Sequence, residues 1–471
     1  MHSRGGMLRK MTDIFPFIGT RYNSRLIEDM KQVISPWYEM IPAEKQKEYR
    51  QRHPYNILHL IPTFKGVASE EYNDSYLRTA SLIQTWRRDG ILVNDNNKSF
   101  YLYEQTYAHP LGKSSENRRS SNVGGKVRRG IYALINLNRQ PSCRMRVEGS
   151  TPNLGGAFHL KLLRATRCNF SPIPMFFHDP QGEFANTCDE VTPARAWEEI
   201  VDINNDTHRL WVINKRDPIA RIGDFFRKKD CFIIEGHKRF EVSLTYRDEQ
   251  RETTGRPDGL QPFDYTLVFL SSFEEGSVST MPVHRVLSAE MGSGVDLQEV
   301  LEDLALYFTV TPVKVNLKKP DTAAEKILSI LTEKGKKHHA IGMAFPDGRA
   351  FILTLKSNAK IPELYDEETT LHDAAKQLDV SILSHYIIRQ CWIGNPEIDL
   401  EEEDILYFED AAAALKHTVE KKASAAFLLN PCPMKQLTEV VTSGGEVPPF
   451  AVRLHPPLIS GLIIRDMSVR H

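Results

Sequence analysis

Segments with strand-like alternation and segments with helix-like spacing follow one another along this chain in no regular order, which constrains its fold more than any single motif does. Residues 24–33 predict an amphipathic helix stopped by Pro36. Residues 56–62 (N-I-L-H-L-I-P) and 99–107 alternate and predict strands. Between them Tyr76, Ala80, Ile83 and Trp86 stand at helical spacing over 72–89, with Gly90 as the expected cap. Residues 129–135, 173–178 and 265–270 predict strands, and 160–166 a short helix. From 297 the pattern predicts a helix to 308, a strand over 310–317 and a helix over 322–334. A hairpin turning at Asp347-Gly348 follows, and then more helices. Mixed order with a hairpin predicts an α+β fold rather than a doubly wound sheet.

At 471 residues the chain exceeds one ordinary core. The pattern loosens at 291–294, so a first domain over 12–292 and a second over 293–471 are expected. Hydrophobic content of 41% and charged content of 26% exclude global disorder. The formal net charge of -1 gives no sign of a polyanionic partner, which makes nucleic acid an unlikely one. A local basic cluster, Arg118, Arg119, Lys126, Arg128 and Arg129, reads as a solvated loop and strand edge, and polar, Gly-rich 114–125 as a mobile loop. Six cysteines without a closely spaced pair predict a reducing compartment and no cysteine metal site. No apolar run approaches the ~18 residues of a membrane helix, and no secretory h-region opens the chain, so a cytoplasmic protein is expected.

Most motif readings fail on their chemistry. Gly125-Lys126 is followed by Val127 where a phosphate loop needs Ser or Thr. The 16 histidines form no His-Glu-x-x-His pair, and His338-His339 reads as a strand start, so no metal ligand set is assigned. No Gly-x-Ser-x-Gly elbow is present. The segment Glu235-Gly236-His237-Lys238-Arg239 differs in its context. The apolar run 231–234 predicts a strand, and helical spacing resumes at Phe240. A carboxylate, an imidazole and a guanidinium therefore share one strand-to-helix turn, where backbone N–H groups and the helix dipole suit a phosphate. The bland alternative is a capped helix with a surface ion pair.

Several blocks occur in a fixed succession: Phe17-Ile-Gly-Thr-Arg-Tyr-Asn23, Ser35-Pro-Trp-Tyr-Glu-Met-Ile41, Pro54-Tyr-Asn56, Trp86 with Gly90-Ile-Leu92, and Tyr101-Leu-Tyr-Glu-Gln105. Ala165-Thr166 with Asn169-x-Ser-Pro-Ile173, His208-Arg-Leu-Trp211 and Pro282-x-His-Arg285 continue it. This succession resembles the domain-of-unknown-function family ten-fifteen, itself similar to the ParB and sulfiredoxin-like superfamily. The family's central D-G-H-H-R-Y-E matches Glu235-Gly-His-Lys-Arg-Phe-Glu241.

The resemblance implies a ParB/sulfiredoxin-like mixed-sheet core with a second, C-terminal α+β domain. It implies a nucleotide, ATP or ADP with Mg²⁺ bridging its phosphates, and a phosphotransferase-like activity on a small molecule such as free serine, or nucleotide hydrolysis. On it, Glu235, Glu148 and His237 are the expected catalytic residues. Gly236, Lys238 and Arg239 are expected at the phosphates, and Arg21 with Asn23 at the small-molecule side. The alternatives are a non-catalytic nucleotide- or protein-binding relative and a ParB-like DNA-associated module, the latter at odds with the neutral charge balance.

Departures from the family pattern bear on the activity. Val147-Glu-Gly-Ser150 keeps Glu148 but loses the histidine of H-E-x-T. The family's D-R pair falls on Phe158 and His159, and its P-P-K-S-T on Pro448-Pro-Phe-Ala-Val452. Cations at a phosphate supply the charge stabilisation on which transfer depends, so weak or absent transfer with retained binding is expected.

Overall fold

The computed structural model describes residues 12–469 apart from 39, 40, 42, 63–69, 109–124, 139–153, 275–277, 366–368, 370, 396–403, 421, 422 and 449. The chain divides into two compact units. The first holds the described residues up to Ser279 together with those from Pro456 onward, and the second runs Thr280–His455.

In the first unit the order across the main sheet is Cys231–Ile233, Ile173–Phe177, Tyr265–Ser272, Lys126–Asn136, Phe100–Tyr107, Thr207–Ile213 and Glu198–Val201, with Ile14–Phe15 also on Lys126–Asn136. Ile173–Phe177 and Tyr265–Ser272 run parallel while their neighbours are antiparallel, so the sheet is mixed. Strict alternation sorts the strands onto two cores. Tyr101, Tyr103, Tyr132 and Phe269 pack with Tyr76, Ile83, Trp86 and Phe158 from helices Glu70–Arg88 and Leu154–Thr166. Phe100, Leu102, Ile131 and Leu270 pack on the opposite face with Phe184, Cys188 and Phe226 from helices Glu183–Val191 and Arg216–Phe226. The chain's last strand, Ile464–Asp466, lies between Gly19–Tyr22 and Cys168–Asn169 in a second, four-stranded sheet.

The second unit is built on a sheet ordered Phe308–Pro312, Ala350–Leu355, Ala340–Ala344, Ala425–Leu428, His284–Leu287 and Ile405–Phe408, with every neighbouring pair antiparallel. Helices Pro320–Gly335 and Ala411–Glu420 cover one face through Ile327, Leu331, Ala414 and Leu415. The Asp347-Gly348 hairpin forms, with Gly348 at φ +96°. The protein is a mixed α+β structure, and no described helix is long and apolar enough to cross a membrane.

Four sequence expectations need correction. Residues 56–62 are not a strand, because Ile57–Leu60 forms a 3₁₀ turn. The Asn56 side chain accepts from the Leu58 N–H at 3.1 Å and donates to the carbonyls of Gln32 and Ile34 at 2.8 and 3.2 Å, and this capping overrides the alternation. The helix expected over 24–33 is confined to Met30–Val33, where Asp29 caps by accepting the Lys31 N–H. The strand expected over 310–317 is Phe308–Pro312. Arg128 is not solvated. Its strand lies inside the sheet, on both sides of which neighbours pair, and Arg128 is 2% exposed with Nη1 donating to the Pro456 carbonyl at 2.9 Å. Arg129, on the other face, is held by Glu104 and Asp189, both at 2.8 Å. Arg118, Arg119 and residues 114–124 lie outside the described residues.

Candidate functional site

The strand Cys231–Ile233 pairs antiparallel with Ile173–Phe177, and the chain then turns into the helix His237–Thr254. The turn is made at Gly236, at φ +92°, in the left-handed region that a side chain disfavours. A Cβ there would also meet Pro174 Cδ at 3.3 Å. No side chain caps the helix, and the Arg239 and Phe240 N–H groups bond back to the Gly236 carbonyl at 3.1 and 3.3 Å. The positive end of an 18-residue helix thus opens at this turn.

Three of the turn's side chains go different ways. His237 bonds through Nε2 to the Ile233 carbonyl at 2.9 Å, and burial pulls its pKa below the ordinary histidine value. A neutral ring that donates from Nε2 keeps Nδ1 as an acceptor. Arg239 is buried, with its guanidinium 4.2 Å from the centre of the Trp37 ring and 5.5 Å from that of Tyr38. Its Nη1 donates to the Pro172 carbonyl at 3.1 Å. Glu235 is half-buried, and its charge acts on the Arg128 guanidinium, whose own burial lowers its pKa. Lys238 is half-buried.

Arg239 lines a cavity of about 50 Å³ together with Tyr38, His159, Ser171, Ser243 and Thr266. The Tyr38 hydroxyl and His159 Nδ1 are hydrogen-bonded at 2.9 Å. Ser243 Oγ donates to the Arg239 carbonyl at 2.8 Å and lies 3.0 Å from Thr266 Oγ1. A guanidinium, an imidazole and hydroxyls share the wall with Leu162, Leu163, Phe170, Ile173 and Val242, so the polar part of the wall suits the oxygens of an anion. Phe158 is part of the core beside Tyr38 and Tyr76.

The other expected site residues lie elsewhere. Glu148 falls outside the described residues. The Arg21 side chain pairs with Asp95, its Nε donating to Oδ2 at 3.0 Å, and its guanidinium lies 3.6 Å from the centre of the Trp197 ring. Asn23 donates to the Gly90 carbonyl at 3.0 Å and accepts from the Arg25 N–H at 3.1 Å, closing the turn after helix Glu70–Arg88. Neither Arg21 nor Asn23 is among the residues lining the cavity. Sequence reasoning missed the walls that Tyr38, Ser171, Ser243 and Thr266 provide. For Tyr38 and Ser171 the signal was present in the blocks Ser35-Pro-Trp-Tyr and Asn169-x-Ser-Pro.

A nucleotide fits this site only in part. Pockets that bury whole small ligands measure roughly 300–1,000 Å³, so about 50 Å³ admits one phosphoryl-sized group, with the remainder of a nucleotide outside. Glu235 would offer a metal a single carboxylate, already under the influence of Arg128. Mg²⁺ on phosphates needs few protein ligands. Among the described residues no three His, Cys, Asp or Glu side chains group to hold a metal.

No curated protein matches the chain. It is similar in structure to a conserved hypothetical protein from Pyrococcus furiosus, at 12% identity and a TM-score of 0.31 over 72% of this chain and 96% of that one. A mutant of a free serine kinase in complex with ADP is similar at 12% identity and a TM-score of 0.33, over 71% of this chain and 91% of that one. The family described as "Protein of unknown function (DUF1015)" matches residues 14–381, and the chain belongs to that family.

Proposed function

We propose that this protein holds the terminal phosphate of a nucleotide such as ADP or ATP at the 235–239 turn, and that phosphoryl transfer to an acceptor such as free serine is weak or absent. On this reading the first unit is a ParB/sulfiredoxin-like core whose kinase-like chemistry has been reduced to binding. The observation that carries it is Arg239, a buried guanidinium set over Trp37 at the wall of a small cavity, beside the uncapped start of a long helix. A phosphate there would meet Arg239 and the hydroxyls of Ser171 and Thr266, since Ser243 donates to the Arg239 carbonyl. Glu235 is the one carboxylate the turn would offer to nucleotide-bound Mg²⁺. Nucleotide-bound Mg²⁺ would supply charge neutralisation.

Binding is favoured over transfer because the cation expected beside the phosphate is replaced by His159, which is bonded to Tyr38, and the neighbouring carboxylate by Phe158 in the core. Losing such charges removes stabilisation of the transition state, usually the largest catalytic contribution. The test is turnover of labelled nucleotide with free serine and small alcohols, with and without Mg²⁺, beside Glu235→Gln. Saturable nucleotide binding with negligible turnover is expected. Robust turnover abolished by Glu235→Gln would overturn the binding assignment and make Glu235 catalytic.

A further inference from the structure

The second unit holds two arginines at one helical segment, and among the described residues no carboxylate pairs with either. Arg285 lies in the strand His284–Leu287, between Ala425–Leu428 and Ile405–Phe408, and is 3% exposed. Adjacent strand residues face opposite sides. Val286 joins the core beneath helices Pro320–Gly335 and Ala411–Glu420. Arg285 goes the other way, toward the helical segment Asp379–Ile382 and its continuation Leu383–Ile393. There its Nη1 donates to Ser384 Oγ, while its Nε is buried without an acceptor. The Tyr407 ring centre lies 5.6 Å from the guanidinium.

Arg389 stands on the same helical segment, five residues after Ser384, with its Nε also buried without an acceptor. After burial itself, its charge adds to lowering the pKa of Arg285. Ser381, one turn before Ser384, is wholly buried with an unbonded Oγ. The backbone favours this clustering. Leu383–Ile393 is a π-helix. Residues five apart in an α-helix stand roughly 140° apart around the axis, whereas i→i+5 bonding brings Ser384 and Arg389 nearer to one side.

Burying a guanidinium beside a like charge, with one neutral hydroxyl as acceptor, is strongly unfavourable. An aromatic face compensates only weakly. Among the described residues no carboxylate forms an ion pair with either arginine. A small oxyanion would offset the repulsion and accept from the Nε–H groups and the Ser381 hydroxyl, Ser384 Oγ already donating to the Val380 carbonyl at 3.0 Å. We infer that Arg285 and Arg389 hold a small oxyanion, the phosphate or carboxylate group of a small molecule, against this face of the second unit's sheet. Arg389 is half-buried and Tyr407 is 38% exposed, so the anion can enter from solvent.

The test is titration calorimetry of the full chain at constant ionic strength in chloride, with inorganic phosphate, phosphoserine and succinate as separate probes. At least one probe is expected to bind saturably, and Arg389→Gln, with its fold checked by circular dichroism, should weaken that binding about tenfold or more. The probe that binds most tightly identifies the source of the oxyanion. The Arg239 cavity is a second place for an anion, so the titration is repeated in Arg239→Gln protein, where the remaining binding reports the second unit alone. Should that variant not fold, the difference between wild type and Arg389→Gln carries the test, with Arg285→Lys as a second variant. Absence of saturable binding by any probe, or isotherms unchanged by both Arg389→Gln and Arg285→Lys, would overturn the site while leaving the Arg239 reading intact.

Discussion

Arg465 in the first unit and Arg285 in the second are both buried strand arginines, and their surroundings treat them differently. Arg465 donates to the Tyr265 carbonyl at 2.6 Å, to Asn169 Oδ1 at 3.1 Å and to the Pro262 carbonyl. Its neighbour Asp466 pairs with Arg87, so the end of the chain is fixed within the four-stranded sheet. Arg285 has one serine hydroxyl, an aromatic face and an opposing arginine. Burial alone does not tell a structural arginine from a binding one. What differs is the number of acceptors and the sign of the neighbouring charge. Arg465, whose Nε is buried without an acceptor as that of Arg285 is, bonds to three oxygens beside Asp466, whereas Arg285 has one hydroxyl and an opposing cation.

The largest expected effect breaks this comparison from the structural side. Arg465→Met should destabilise the first unit by roughly 3–5 kcal/mol, since it strips charged hydrogen bonds from carbonyls that stay buried. Urea unfolding followed by tryptophan fluorescence measures it, and a loss below about 1 kcal/mol would remove Arg465's structural role.

Next comes His284, the residue beside Arg285, which is 1% exposed and accepts the Leu429 N–H at 3.1 Å through Nδ1. Burial lowers its pKa from 6.5 to about 4. The folded value lies below the unfolded one, so the neutral ring's contribution is fully present above 6.5 and is lost as the pH falls toward 4. That amounts to about 3 kcal/mol. His237 shifts in the same direction in the first unit, also through burial. Melting temperature against pH checks this, and in His284→Gln the second unit's drop should flatten.

Two smaller effects sharpen the contrast. Gly236→Ala should cost about 1–2 kcal/mol from the left-handed backbone at the turn, and should weaken nucleotide binding if the turn must keep its shape. Arg285→Met should change stability by no more than about 1 kcal/mol in chloride buffer, since removing an unanswered buried charge offsets the lost contacts. A loss as large as that of Arg465→Met would place Arg285 among the structural arginines.

Much of this architecture was legible because its signals are local. Gly90 caps its helix at φ +72°, Asp347-Gly348 turns its hairpin, and the apolar run before Glu235 delivers the turn between strand and helix. What was illegible depends on contacts distant in sequence. Asn56 selects a 3₁₀ turn through carbonyls more than 20 residues away. Arg128 is buried because its strand lies between two others. The strand at 464 has its partner at the opposite end of the chain, in Gly19–Tyr22. The candidate site divides the same way. Arg239 and its turn could be read from the pattern, but the hydrogen bond between Tyr38 and His159 joins residues 121 apart. Arg21 and Asn23, chosen from their block, serve Asp95 and the Gly90 turn instead.

The most direct test of the account is calorimetric titration of ADP into wild-type protein and into Arg239→Lys, with and without Mg²⁺. Lysine keeps the charge but loses the planar fork that stacks on Trp37. Saturable binding of one ADP by the wild type is predicted, with an affinity at least about tenfold weaker in a variant that remains folded by circular dichroism. ADP affinity identical in the two proteins, or no ADP binding by a folded wild type, would contradict it.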